Sequence, residues 1–137
     1  MMKTFFKILS VILLSFNGIG ALFGGWNLIL DPTGRTIQMP LDWLQDSPFN
    51  NFFIPGIILF TVNGLFNIFT AVLAIKNTRG YELFILSAGI MLAIWITVQI
   101  IIIKLFYPPL HLTFYIIALI LIICGIILRK NRTYIDY

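Results

Sequence analysis

Four long runs without a charged residue constrain this chain more than any other feature. Ile8–Leu30 has 23 residues, Ser47–Ile75 has 29, Leu83–Ile103 has 21 and Leu105–Leu128 has 24. An α-helix crosses the hydrocarbon core of a bilayer with about 20 apolar residues, so each run is long enough to span. Lipid offers no water to backbone amides, which leaves helices or closed barrels as the spanning structures. Barrel strands would show segments of about ten residues with alternating polarity, and these runs show none. Composition agrees: 60% of the 137 residues are hydrophobic and 10% are charged, against about 45–50% and about 25% in soluble domains. The sequence therefore predicts an all-α membrane protein. The expected form is a four-helix transmembrane bundle, a single domain over 1–137. Its helices fall at about 4–30, 52–76, 81–106 and 109–129, with one structured extracytoplasmic loop at 31–51. The first apolar run exceeds the roughly 7–15 residues of a signal-peptide core and reads as an uncleaved helix.

Charge placement predicts orientation. Four spans put both termini on one side, together with the 76–82 connection. That side carries Lys3, Lys7, Lys76, Arg79, Arg129, Lys130 and Arg132, and the other carries Arg35 and Lys104. Lysine and arginine accumulate on the cytoplasmic side of membrane proteins. Both termini are thus expected in the cytoplasm of a bacterial inner membrane, with the loop outside. The Arg129-Lys130-Asn131-Arg132 tail reads as an anchor on anionic lipid rather than a nucleic-acid patch.

The stretch from Asp31 to Gly56 holds four of the six prolines and three of the five acids. Asp31-Pro32-Thr33-Gly34 has the residues of a type I turn and ends the first helix. Pro40 to Gln45 predicts a short helical turn carrying Leu41, Trp43 and Leu44. Ser47-Pro48 reads as an N-cap followed by proline in the first helical turn. Pro55, inside the next helix, predicts a kink or a 3₁₀ start.

Small and polar residues form stripes on the helices. Gly20 with Gly24, and Ala21 with Gly25, make small-xxx-small pairs of the kind that bring membrane helices close. Phe16-Asn17-Gly18-Ile19 is echoed by Val62-Asn63-Gly64-Leu65 in a span of opposite direction. Asn17, Asn63 and Asn67 fall near the bilayer midplane. Asn27 and Gln99 lie nearer the loop, and Trp95 shares a face with Gln99. These six are candidate ligand-binding residues; the bland alternative is hydrogen bonding between helices. In the loop Asp31, Arg35, Asp42 and Trp43 are the candidates, with Asp31 either paired to Arg35 or capping its own turn.

Several chemistries lack their residues. No acid or base lies in mid-span, where ion-coupled transporters place them. Cys124 is the only cysteine and His111 the only histidine, so no thiol pair or metal-ligand cluster is expected, and no cofactor. Cys124 reads as a small packing residue and His111 as a polar anchor.

Asp31-Pro32-Thr33-Gly34, Ser47-Pro48-Phe49 and Ile54-Pro55-Gly56 together resemble small bacterial four-helix integral membrane proteins and, more distantly, DoxX-like proteins. That resemblance implies a component of thiol or sulfur redox, or of quinone-linked membrane complexes. The residues themselves favour a non-enzymatic accessory subunit or partner-binding module. Its partners would be the lipid bilayer and either further copies of the chain or a larger membrane complex. The alternative they raise is binding or transport of a small amphipathic ligand, a quinone or a lipid, inside the bundle.

The orientation is checked by thiol labelling. Gln45→Cys should react with a membrane-impermeant maleimide in intact bacterial cells, and Thr78→Cys only after lysis. The reverse pattern inverts the topology.

Overall fold

The computed structural model describes residues 2–104 and 108–135. Among them four helices are long and apolar enough to cross a membrane. They are α1 (Met2–Leu30), α2 (Phe53–Ile75), α3 (Tyr81–Ile103) and α4 (Pro108–Ile135). The chain is an all-α four-helix bundle, and no strand occurs among the described residues. α1 packs along α2 and α3 along α4. The two hairpins then meet through α1 against α4 and α2 against α3.

Glycine makes each hairpin tight. A methyl group on Gly25 would stand 2.7 Å from the Phe60 amide nitrogen and 2.8 Å from the Gly56 carbonyl oxygen. In the second hairpin, one on Gly89 would stand 2.9 Å from the Ala118 carbonyl oxygen, and one on Gly125 2.8 Å from the Leu86 nitrogen. Hydrocarbon tails are as apolar as leucine, so association must come from close van der Waals packing. Gly25 acts as its small-residue pattern predicts. Gly20 does not: nothing lies within 4 Å of where its side chain would be. The glycines of the echoed tetrapeptides each pack on the facing helix, Gly18 against Ile68 and Gly64 against Leu22, outside the other tetrapeptide.

α2 holds the largest departure from the expected geometry. Pro55 sits in a regular helical stretch, Phe53–Ile58, and the irregularity comes just after it, as a π-helix over Leu59–Leu65. Proline near a helix start lies among amides that lack partners anyway, so it does not force the break. The start also differs. Ser47 caps no helix; its hydroxyl donates to the Leu44 carbonyl at 2.8 Å and accepts from the Phe49 amide at 3.1 Å. The α2 start is met instead by Asn51, whose side-chain oxygen accepts from the Phe53 amide at 2.9 Å.

The other ends differ in detail. α3 stops at Ile103, with Lys104 in a left-handed cap; the expected end at Phe106 lies outside the described residues. α4 runs past Arg129 to Ile135. Arg132 donates to Glu82 at 3.0 Å, which docks the last turns of α4 on the first turn of α3. Glu82 there also faces the positive end of the α3 dipole. Thr97 and Tyr115 share a hydroxyl hydrogen bond of 2.6 Å between α3 and α4.

The two halves of the bundle are packed differently. On the side of the termini Ser10, Leu14, Thr70, Ala74, Ile85, Leu121 and Leu128 are all fully buried. Cys124 is buried there beside Ser10, a packing role as expected. On the loop side Leu28, Leu44 and Phe52 form a separate apolar cluster under the loop, and space remains between the hairpins.

Gly25→Ala should drive α1 and α2 apart and destabilise the bundle by about 1–3 kcal/mol, the usual cost of overpacking. Gly20→Ala should melt at or above the parent. Thermal melts in one detergent compare the two, and equal losses would refute the assigned contact.

Candidate functional site

The space between the hairpins is a cavity of about 540 Å³ on the loop side of the bundle, within the roughly 300–1,000 Å³ range of ligand sites. All four helices and the loop contribute to its wall. Asn17, Gly20 and Ala21 come from α1, Leu59 and Asn63 from α2, and Leu92, Trp95, Ile96, Gln99 and Ile103 from α3. Leu110, His111 and Phe114 come from α4. Ile37, Gln38, Met39 and Trp43 of the loop complete it.

Asn17 and Asn63 are its most informative residues. They are 3% and 1% exposed, and the side-chain NH₂ of each has no hydrogen-bond acceptor. The expected bridge between helices is absent: the two amides do not bond one another. Each carboxamide nitrogen carries two donor hydrogens. Leaving such a donor buried without an acceptor costs about 1–3 kcal/mol, and native structures hold few of them.

The π-helix places Asn63. A π-stretch inserts a residue into the turn and often marks a functional position. Here it spans Leu59–Leu65, and its two cavity-lining residues are Leu59 and Asn63. Asn67, the third midplane candidate, does not line the cavity. Its amide donates to the Asn63 backbone carbonyl at 2.6 Å, steadying the turn that presents Asn63. Asn27 is likewise occupied, donating to the Phe23 carbonyl at 2.7 Å.

The loop candidates divide. Trp43 lines the cavity; Asp31, Arg35 and Asp42 do not. Asp31 caps its own turn. Its carboxylate accepts from the Thr33 and Thr36 hydroxyls and from both backbone amides. No ion pair joins it to Arg35 among the described residues. The Thr33 hydroxyl above all, then Thr36, holds the Asp31 carboxyl down to about 2 from its usual 3.8. The turn leads through Gly34 (φ 76°) into a 3₁₀ turn at Arg35–Ile37, and Gln38, also left-handed at φ 59°, reverses the chain. Non-glycine residues seldom take that conformation. Here it brings 37–39 over the cavity. The predicted turn at Pro40 to Gln45 is a second 3₁₀ segment, Leu41–Leu44, with Leu44 in the apolar cluster and Trp43 on the cavity. The Asp46–Lys104 ion pair, 3.4 Å and solvent-exposed, links the loop to the end of α3.

His111, read from sequence as an anchor, is 4% exposed and lines the cavity. Ile37, Gln38 and Met39 were not candidates; only the left-handed turn reveals them. No group of three or more histidine, cysteine, aspartate or glutamate residues that could hold a metal occurs among the described residues. A second chamber of about 330 Å³ adjoins the first and shares Ile37, Met39, Leu59, Trp95, Gln99 and Ile103 with it. Gln99 supplies its one carboxamide; the rest of its lining is apolar or aromatic.

Comparison of the chain with family models, with curated proteins and with solved structures gives no match.

The Asp31 cap has a defined pH window. The folded pKa lies below the unfolded value, so its stabilisation is present above about 3.8 and is lost as pH falls toward 2. Trp43 emission should therefore change between those values, and Asp31→Asn should abolish that step. An unchanged step in the variant would assign it to another group.

Proposed function

We propose that this membrane protein binds a small amphipathic ligand in the loop-side cavity. One observation carries the reading: a cavity of ligand size is lined by two asparagines, Asn17 and Asn63, whose buried side-chain NH₂ groups have donor hydrogens that the protein leaves unmet. In the other half the buried hydroxyls of Ser10 and Thr70 are met by carbonyls of their own turns; the Tyr81 hydroxyl there has no partner, but it does not line the cavity. The aromatic residues suit the same role, since Trp43 and Trp95 offer flat apolar surface beside the amides.

The cavity is also reachable. Gly20 lines it, yet is exposed and has open space where a side chain would stand. Leu110, across the wall on α4, is exposed as well. The cavity therefore reaches the bundle surface beside α1 and α4, a route for a lipid-dissolved molecule. Fully buried residues close the half toward the termini. This favours a binding chamber over a continuous pore.

The partner-binding reading drew on the glycine stripes. Gly18, Gly25, Gly56, Gly64, Gly89 and Gly125 all pack within the chain, whereas Gly20 does not. The redox-linked reading gains nothing from Cys124, which is sealed in the packed half.

Gly20→Leu tests the proposal. The side chain enters open space, so the fold should hold, and the cavity should lose much of its volume. Bound lipid-like molecules retained through mild detergent purification, read by native mass spectrometry, should fall at least tenfold in the variant. Equal retention would remove the cavity as the site.

A further inference from the structure

We infer that the ligand is an electrically neutral amphiphile with a carbonyl oxygen in its head, held by Asn17 and Asn63, and an aliphatic chain lying in the adjoining apolar chamber. This rests on the binding reading above and specifies its ligand.

Three observations set the head-group chemistry. The unmet groups are donors, the NH₂ of Asn17 and of Asn63, so the ligand must present acceptors. A carbonyl, ester or amide oxygen has two lone pairs and can accept from both amides at once. Next, no lysine, arginine, aspartate or glutamate lies among the described lining residues. The one ionisable imidazole in the wall, His111, is not a permanent charge, so a phosphate or carboxylate head would be desolvated there without a fixed counter-charge, and burying an unpaired ion is far more costly than burying a neutral dipole. A cationic head would meet no carboxylate. Finally, Asn17 and Asn63 lie near the middles of the apolar spans Met2–Leu30 and Phe53–Ile75, the depth at which the penalty for charge in a bilayer is greatest.

The second chamber sets the tail. It opens off the first along a shared wall and is apolar apart from Gln99. An alkyl chain leaving a head at Asn63 has a dry path between α2 and α3, under Leu44 and Phe52. A compact polar solute would leave that chamber unused.

Quenching of tryptophan emission by chain-brominated probes tests the assignment, using the full chain in detergent with Trp26→Phe to remove the lipid-facing emitter. The probes are dioctanoylglycerol, the phosphatidic acid with the same chains, a bromoalkane of matching length, and an alkyl benzoquinone. At least one of the two neutral carbonyl probes, the diacylglycerol or the dione, should bind at least tenfold tighter than the phosphatidic acid and the alkane. The tighter of the two identifies the source of the carbonyl. Asn17→Leu with Asn63→Leu should reduce that advantage by roughly tenfold, the combined effect of two neutral hydrogen bonds. If the pair fails to fold, the ranking on the parent protein and Asn17→Leu alone decide. Preference for the phosphatidic acid overturns the neutral head. Equal binding of the alkane, lost in Gly20→Leu, overturns the carbonyl contact while leaving the cavity as a binding site. No saturable binding of any probe, with Gly20→Leu indistinguishable from the parent, overturns the binding reading itself.

Discussion

Contact between backbones at glycine holds this bundle together. In water a helix pair can rely on the release of solvent from apolar faces; in lipid that force is missing, and what remains is the number of atoms brought to contact distance. Gly25 against Gly56, and Gly89 and Gly125 against the facing helix, supply that contact at the cost of any side chain at those positions. Each hairpin is thereby fixed as a tight pair. The looser junction is the one between hairpins, and there the bundle is filled on one side and hollow on the other. The cavity is a consequence of where the close contacts were placed.

The polar residues follow from the same solvent. A hydroxyl in a membrane helix is satisfied within its own turn, as Ser10, Thr70, Ser87 and Thr97 are by the carbonyls four residues back. A carboxamide carries more hydrogens than one carbonyl can absorb. Asn67 finds the Asn63 carbonyl and Asn27 the Phe23 carbonyl. The NH₂ groups of Asn17 and Asn63, two residues of the cavity wall, find nothing in the protein. Asn63 lies in the π-stretch of α2.

Helix number and approximate span were legible because charge is so costly in hydrocarbon that its absence marks each crossing. The Asp31 turn and the Pro40 turn were legible because proline, glycine and aspartate have narrow backbone preferences. The π-helix was not: Leu59–Leu65 carries no proline, and an extra residue in a turn leaves no compositional mark. The α2 start was legible near 52, close to Phe53, but its cap was not, since two competing cap sequences, Ser47 and Asn51, lie within five residues. Of the site, Asn17, Asn63, Trp43, Trp95 and Gln99 could be picked out as polar or aromatic groups at the right depth. The 37–39 segment could not, because its approach depends on how the loop folds back, and His111, near the end of a span, reads equally well as a polar anchor. Gly20 looked like a packing residue by spacing; only its position on α1 shows that it faces open space.

The solid half of the bundle has a thermodynamic consequence. On the proposed binding reading, a chamber with its mouth on one side would exchange with one reservoir, and its occupancy would follow the ligand's chemical potential in the loop-side half of the membrane. With Ser10, Leu14, Thr70 and Leu121 packed to full burial, such a molecule would have the geometry of a gauge, registering how much ligand one leaflet holds.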